Sequence, residues 1–116
     1  MPLNTGVVNI HKVKGKRPAF DVYIGRALQY TEFTQNSIWH NPYRRSHYFS
    51  DEDFHKHCLE DYESFIRIAI ASKPEKYNLE SLRGKRLGCW CVTTDQIYPL
   101  KCHGQILLKL LKESDA

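Results

Sequence analysis

The sequence lacks the features that would place it in a membrane, a fibre or a repeat array. No apolar run approaches the roughly 20 residues needed to cross a bilayer, which excludes a helical membrane anchor. The start, "MPLNTGVVNI", has no basic stretch followed by a long apolar one, so it does not read as a secretory leader. An intracellular, cytoplasmic protein without a membrane partner is expected. No heptad pattern, internal repeat or low-complexity tract is present, which argues against a coiled coil or solenoid. Neither sign of charge dominates. Seventeen Lys and Arg against 13 Asp and Glu leave +4, a mild excess that favours anionic partners without requiring them.

What remains is an ordinary soluble composition, 41% hydrophobic and 26% charged over 116 residues. That is one domain's worth of chain, spanning 1–116 and large enough to bury a core without disulfides. In a reducing compartment the four cysteines point to metal, reactivity or packing before they point to disulfides. Basic residues cluster in "HKVKGKR", at Arg44 and Arg45, and in "RGKR"; acids cluster in "SDEDF" and around Glu60, Asp61 and Glu63.

"GVVNIHKV" alternates as a strand does and is ended by "KGKRP". "AFDVYIGR" reads as a second strand broken by Gly25, with Arg26 just past its end. Residues 27–49 lack a clean period and contain an Asn-Pro turn signal, so a long ordered loop is expected, with Trp39 and Tyr43 available either to plug the core or to meet a ligand. A helix then starts at Ser50 as N-cap and runs with Phe54, Cys58, Tyr62, Phe65, Ile66, Ala69 and Ile70 on one face, leaving His55 and His57 on its surface. Pro74 ends it, and "YNLESLRGK" gives a short turn closed by Gly84. "RLGCWCV" reads as a third strand, "TTDQIYP" as a turn or edge segment, and "HGQILLKLLKE" as an amphipathic helix. Strands joined through helices predict an α/β domain with a short, mostly parallel sheet flanked by helices in Rossmann-like layers; α+β is the alternative.

The segment "LGCWCVTTDQIYPLKCHG" holds three of the cysteines. On a strand Cys89 and Cys91 share one face and Trp90 takes the other. If the connection folds back, Cys102 and His103 open the last helix level with that strand's end. A Cys3His zinc site needs those donors at about 2.0–2.3 Å from the metal, although a Cys-x-Cys pair is not the common Cys-x2-4-Cys knuckle. The bland alternative makes Cys89 and Cys91 small buried hydrophobes. At the helix start, free amides and the macrodipole favour a thiolate at Cys102 or a bound anion, with His103 as a titrating donor and Gly104 leaving room for a ligand. In parallel sheets ligands gather beyond the carboxyl ends of the strands, where Gly25, Arg26, Cys91 and Cys102-His103-Gly104 would meet.

Taken together, "VYIGR", the Ser-x-Trp-x-Asn-Pro element in "SIWHNPY", "LRGKRLGCWC" and "CHGQIL" resemble, in order and spacing, an uncharacterised domain family of phages, large DNA viruses, bacteria and fungi. The resemblance covers most of the chain and implies no reaction. Its recurring positions fall on Arg26, Ser37, Trp39, Asn41, Pro42, Cys89, Cys91, Cys102, His103 and Gly104. The strand-to-Cys-His step is also similar to a second uncharacterised family with Cys-His-Arg, where Gly104 stands here for the Arg. The ten residues between Cys91 and Cys102 exceed the short connection expected there, a length that works against tight clustering of all four ligands.

The preferred expectation is therefore a phosphorylated ligand, a nucleotide or nucleic-acid end, held on that rim. Arg26 would pair with the anion, Ser37 and Asn41 would fix polar groups, Trp39 would stack on a base, and Gly25 and Gly104 would admit the ligand. For catalysis the candidates are Cys102 as nucleophile and His103 or His40 as acid or base, adjacency making Cys102 and His103 poor partners for each other. The alternative is a structural zinc module using Cys89, Cys91, Cys102 and His103, with basic loops contacting nucleic acid.

Overall fold

The last strand to be encoded is the central one. In the computed structural model, which describes residues 5–28 and 31–114, β1 (Gly6–Asn9), β2 (Val22–Tyr23) and β3 (Arg86–Cys89) form a parallel sheet in the order β1-β3-β2. Residues 1–4, where the start of the chain was read for a leader, and 29–30 of the long loop lie outside the described residues. Val7 pairs opposite Leu87 and Asn9 opposite Cys89, while Val22 and Tyr23 pair opposite Leu87 and Gly88. Leu87, Gly88 and Cys89 are all buried, as befits a strand covered on both faces.

Each strand is shorter than its apolar pattern. β1 stops at Asn9 because the next residues turn on themselves: Val13 and Lys16 exchange backbone hydrogen bonds of 2.7 and 3.0 Å across Lys14 (φ 52) and Gly15 (φ 77). Two successive positive φ values are what a two-residue hairpin turn demands, and the glycine meets that demand without strain. At the start of β2, Asp21 accepts from the Arg86 amide at 2.8 Å and faces its guanidinium. β3 ends at Cys89, where the chain bends through Trp90 and Cys91.

Two helices complete the fold. α1 (Asp51–Ser72) begins where expected, Ser50 Oγ accepting from the Asp53 amide at 3.1 Å, with Asp51, Glu52 and Asp53 in its first turn. It buries Cys58, Tyr62 and Ile66. α2 (His103–Ser114) is buried almost all round, with Ile106, Leu107, Leu108, Leu110 and Leu111 in the core. Glu63 and Arg67 of α1 pair with Lys109 and Glu113 of α2 at 2.9 and 2.8 Å, partly exposed pairs that fix register more than they stabilise. Short 3-10 turns occupy Arg45–His47 and Leu79–Leu82. This is the expected α/β class. No helix among the described residues is long and apolar enough to cross a membrane.

α2 lies close against the sheet at Gly104. A Cβ there would come within 2.8 Å of Ile24 Cδ1 and 3.0 Å of Val7 Cγ2. On the opposite side of the sheet Phe20 lies over Gly88, and the Tyr23 and Phe33 rings stack at 4.0 Å with Trp90 edge-on to Phe33 at 5.7 Å.

Helix propensity alone makes Gly104→Ala stabilising by about 1 kcal/mol, whereas overpacking a core costs roughly 1–3 kcal/mol. Val7 is β-branched and buried and yields little, so packing wins. Urea denaturation of Gly104→Ala is expected to show a net loss of stability; a gain would mean the helix can lift off the sheet.

Candidate metal centre

Three segments meet at the carboxyl edge of the sheet: the end of β3, the bend after it, and the start of α2. The connection between the bend and α2 folds back along β1. Val7 and Thr94 exchange backbone bonds of 2.8 Å each, and Thr93 Oγ1 accepts from the Asn9 amide at 2.8 Å. Gln105 does the rest. Its Oε1 accepts from the Lys101 and Cys102 amides at 2.6 and 3.0 Å, and its Nε2 donates to the carbonyls of Gln96, Ile97 and Pro99 at 3.0, 3.1 and 2.9 Å. Gln105 is buried, and its amide ties the second half of the returning loop, residues 96–102, to the first turn of α2.

With the loop held this way, the sulfurs of Cys89, Cys91 and Cys102 all lie within 4.8 Å of one another, close enough for one metal ion to be held among them. Cys89 and Cys102 are each 1% exposed, and Cys91 is exposed. The long insert thus does not keep Cys102 away from the Cys-x-Cys pair. Cys91 reaches the cluster through the bend after β3 and not, as expected, along a continuing strand face. Hydrogen bonds from Cys102 and then Cys91 to a Cys89 thiolate pull the Cys89 pKa down. Its bonds to Cys89 and then Cys91, with burial behind them, push the Cys102 thiol far up. The cluster therefore gives up one proton easily and resists losing more unless a cation replaces them. Cys58 stands apart. Its sulfur accepts from Asn41 Nδ2 at 3.1 Å, and burial raises its pKa.

His103 borders the cluster, with Nδ1 3.9 Å from Cys102 Sγ. Its Nε2 lies 2.7 Å from the Ile24 carbonyl, which can only accept, so Nε2 carries the hydrogen and the neutral ring presents a lone pair at Nδ1. Burial holds its pKa below the ordinary value. The ring also meets Tyr62 edge-on at 5.1 Å.

The remaining rim residues are engaged by the protein itself. Arg26 donates through Nε to the Asn41 carbonyl at 2.8 Å and through Nη2 to the carbonyls of Asn41 and Tyr43, at 2.5 and 2.6 Å. Trp39 is 3% exposed, its ring edge-on to Tyr77 and its carbonyl accepting from Tyr62 Oη at 2.8 Å, so no face is open to a base. Asn41 Oδ1 accepts from the Tyr43 amide at 2.9 Å, and Ser37 Oγ from the Trp39 amide at 3.1 Å. His40 Nδ1 lies 2.7 Å from the Ser37 carbonyl. The Gly25 carbonyl accepts from the Ser37 amide at 3.0 Å. Gly104 gives its amide to Cys102 Sγ at 3.4 Å and its missing side chain to helix–sheet packing. Arg26 and the Ser-x-Trp-x-Asn-Pro element together fasten the long loop to the end of β2.

Gln105 is the residue the sequence reading passed over, and a signal for it exists. "CHGQ" has the spacing of a capping box, Ser/Thr-x-x-Glu/Gln, with cysteine in the capping position. Replacing Gln105 by Ala strands the buried Cys102 amide and frees the loop. A loss of roughly 2–3 kcal/mol is expected in chemical denaturation, with faster amide exchange confined to residues 101 and 102 and the returning loop.

A family model described as "Domain of unknown function (DUF4326)" matches residues 8–113. No curated protein and no solved structure matches the chain. The chain, a small α/β domain with a three-cysteine cluster at the edge of a parallel sheet, belongs to the DUF4326 family.

Proposed function

We propose that this is a zinc-binding module of a reducing, cytoplasmic compartment, with Cys89, Cys91 and Cys102 as ligands, His103 Nδ1 as the fourth, and the adjacent basic turn as its contact to nucleic-acid phosphates. The observation that carries the reading is the grouping of the three sulfurs within 4.8 Å. Tetrahedral zinc with Zn–S bonds of 2.3 Å places its sulfurs about 3.8 Å apart, so closure around an ion needs shifts of about 1 Å. Thiolates select soft or borderline cations, and zinc accepts mixed sulfur and nitrogen donors. The His103 arrangement supports the fourth ligand, since a metal-bound imidazole ordinarily gives its other N–H to a carbonyl, as Nε2 does here to Ile24.

The phosphate part of the reading moves from Arg26 to the turn at residues 11–17. Lys12, Lys14 and Lys16 are exposed there. The root of the turn is fixed beside the cysteines: the Ile10 amide donates to the Cys89 carbonyl at 2.8 Å, and the Arg17 guanidinium lies 5.2 Å from the Trp90 ring and 5.1 Å from Phe33. A rigid turn bearing exposed lysines contacts a phosphate backbone without selecting a sequence.

Elemental analysis of protein purified without added zinc is expected to give one zinc per chain. Its removal by a chelator should lower the melting temperature. Cys89→Ser should lose the metal and Cys58→Ser should keep it. A metal-free protein that folds identically and ignores chelator would end the zinc reading. For the second part, binding of a short oligothymidylate is expected to weaken with salt. Replacing Lys12, Lys14 and Lys16 by Glu should lower the slope of log K against log salt by about 2; an unchanged slope would remove the turn from the interface.

A further inference from the structure

We propose that Cys91 is an oxidation site for small peroxides, and that its oxidised sulfur is captured by Cys102 to form an intradomain disulfide. The four cysteines are free, and they differ sharply in access. Cys58, Cys89 and Cys102 are 7%, 1% and 1% exposed, whereas Cys91 is exposed on the bend after β3. Cys91 is thus the residue of the cluster that meets solvent, the side from which a dissolved peroxide arrives. A sulfenic acid formed there has two thiols within 4.8 Å, so it is resolved within the domain before a second oxidant arrives.

Cys102 is the better placed of the two resolving thiols. Cys89 is the last residue of β3, its carbonyl bonded to the Ile10 amide and its thiol turned to the Val92 carbonyl at 3.5 Å. A bridge between residues 89 and 91 would bend backbone that the sheet holds. A bridge between Cys91 and Cys102 joins an exposed bend to the start of α2. The side chains and the bend need only close the remaining gap to the 2.05 Å of an S–S bond.

The steps balance. The Cys91 sulfur attacks one peroxide oxygen and gives up its proton, the O–O bond breaks, and the hydroxide that leaves takes up a proton as water. The Cys102 sulfur then attacks the sulfur of Cys91–SOH, the S–O bond breaks, and a second water leaves with the Cys102 proton. Two thiols are oxidised to one disulfide and hydrogen peroxide is reduced to water. The inference stands on the exposure of Cys91 and the spacing of the sulfurs, and it rests on the zinc reading in one respect only, that formation of the bridge expels a bound zinc.

The test treats the folded protein with hydrogen peroxide in two forms, zinc-loaded and chelator-stripped, and follows free thiols, zinc release to a chromogenic chelator, and disulfide-linked peptides by mass spectrometry. Loss of two thiols with a Cys91–Cys102 linked peptide is expected in both forms, with one zinc released per bridge from the loaded form. Cys91→Ser, an exposed position outside the core cluster, should slow thiol loss by about tenfold or more, since the remaining cysteines are buried. Cys58→Ser should react like the wild type. Any other pairing, an unchanged rate in Cys91→Ser, or accumulation of Cys91 sulfinic acid in place of the bridge overturns the proposal. Bridge formation in a protein that never carried zinc would leave this inference standing and remove the metal reading instead.

Discussion

The buried amide of Gln105 sets the distance between two parts of the chain that would otherwise be tethered by a loose loop. An amide is suited to this because it accepts and donates at once: one oxygen receives two main-chain N–H groups ahead of α2, and one NH2 serves three carbonyls of the returning loop. A carboxylate could keep the first set of bonds and would repel the second. An alkyl side chain would leave both unmet in a dry place, where each unpaired group costs more than the bond itself is worth in water. Because these bonds hold the start of α2 against the loop, Cys102 meets Cys89 and Cys91. Because α2 is placed, Gly104 can lie on Val7 and Ile24.

The bend at Trp90 divides the end of β3 into two environments. On one side are the sulfurs, backed by His103 and the core. On the other, Trp90 donates Nε1–H to Tyr23 Oη at 2.8 Å and shares the Arg17 guanidinium with Phe33. The two arrangements are separated by a single residue on each side, so the backbone of residues 89–91 belongs to both. An aromatic ring between two cysteines in sequence thus serves as the partition between a sulfur-lined site and a cation held by π-faces.

Much of this was legible from residue pattern, and the illegible parts share a cause. α1 could be read because Ser50, the acidic first turn and the apolar face at Cys58, Tyr62 and Ile66 all carry the same message. The parallel sheet followed from strands separated by helical segments, and the start of α2 from "CHGQILLKLL". Strand lengths could not be read, since the Lys14-Gly15 turn and the bend at Trp90 interrupt runs that are apolar enough to continue. Nor could the partners of Arg26. A guanidinium fits paired oxygen acceptors whether they belong to a phosphate or to the carbonyls of Asn41 and Tyr43, and nothing in the order of residues says which will be supplied. Trp39 presents the same ambiguity, settled by burial. Gln105 escaped notice because cysteine is an unfamiliar occupant of a capping position.

Strand order has a consequence for how the protein comes into being. β1 and β2 have no hydrogen-bonding neighbour in each other; both wait for β3, and Gly6 cannot pair until Arg86 exists. On a ribosome adding about 5–20 residues per second, the interval between the emergence of β2 and β3 lasts on the order of several seconds. Through that interval the nascent chain carries two unpaired apolar segments and a helix without its counterpart, a state suited to chaperone capture. Folding is then set off late, by the arrival of the segment that also brings the cysteines.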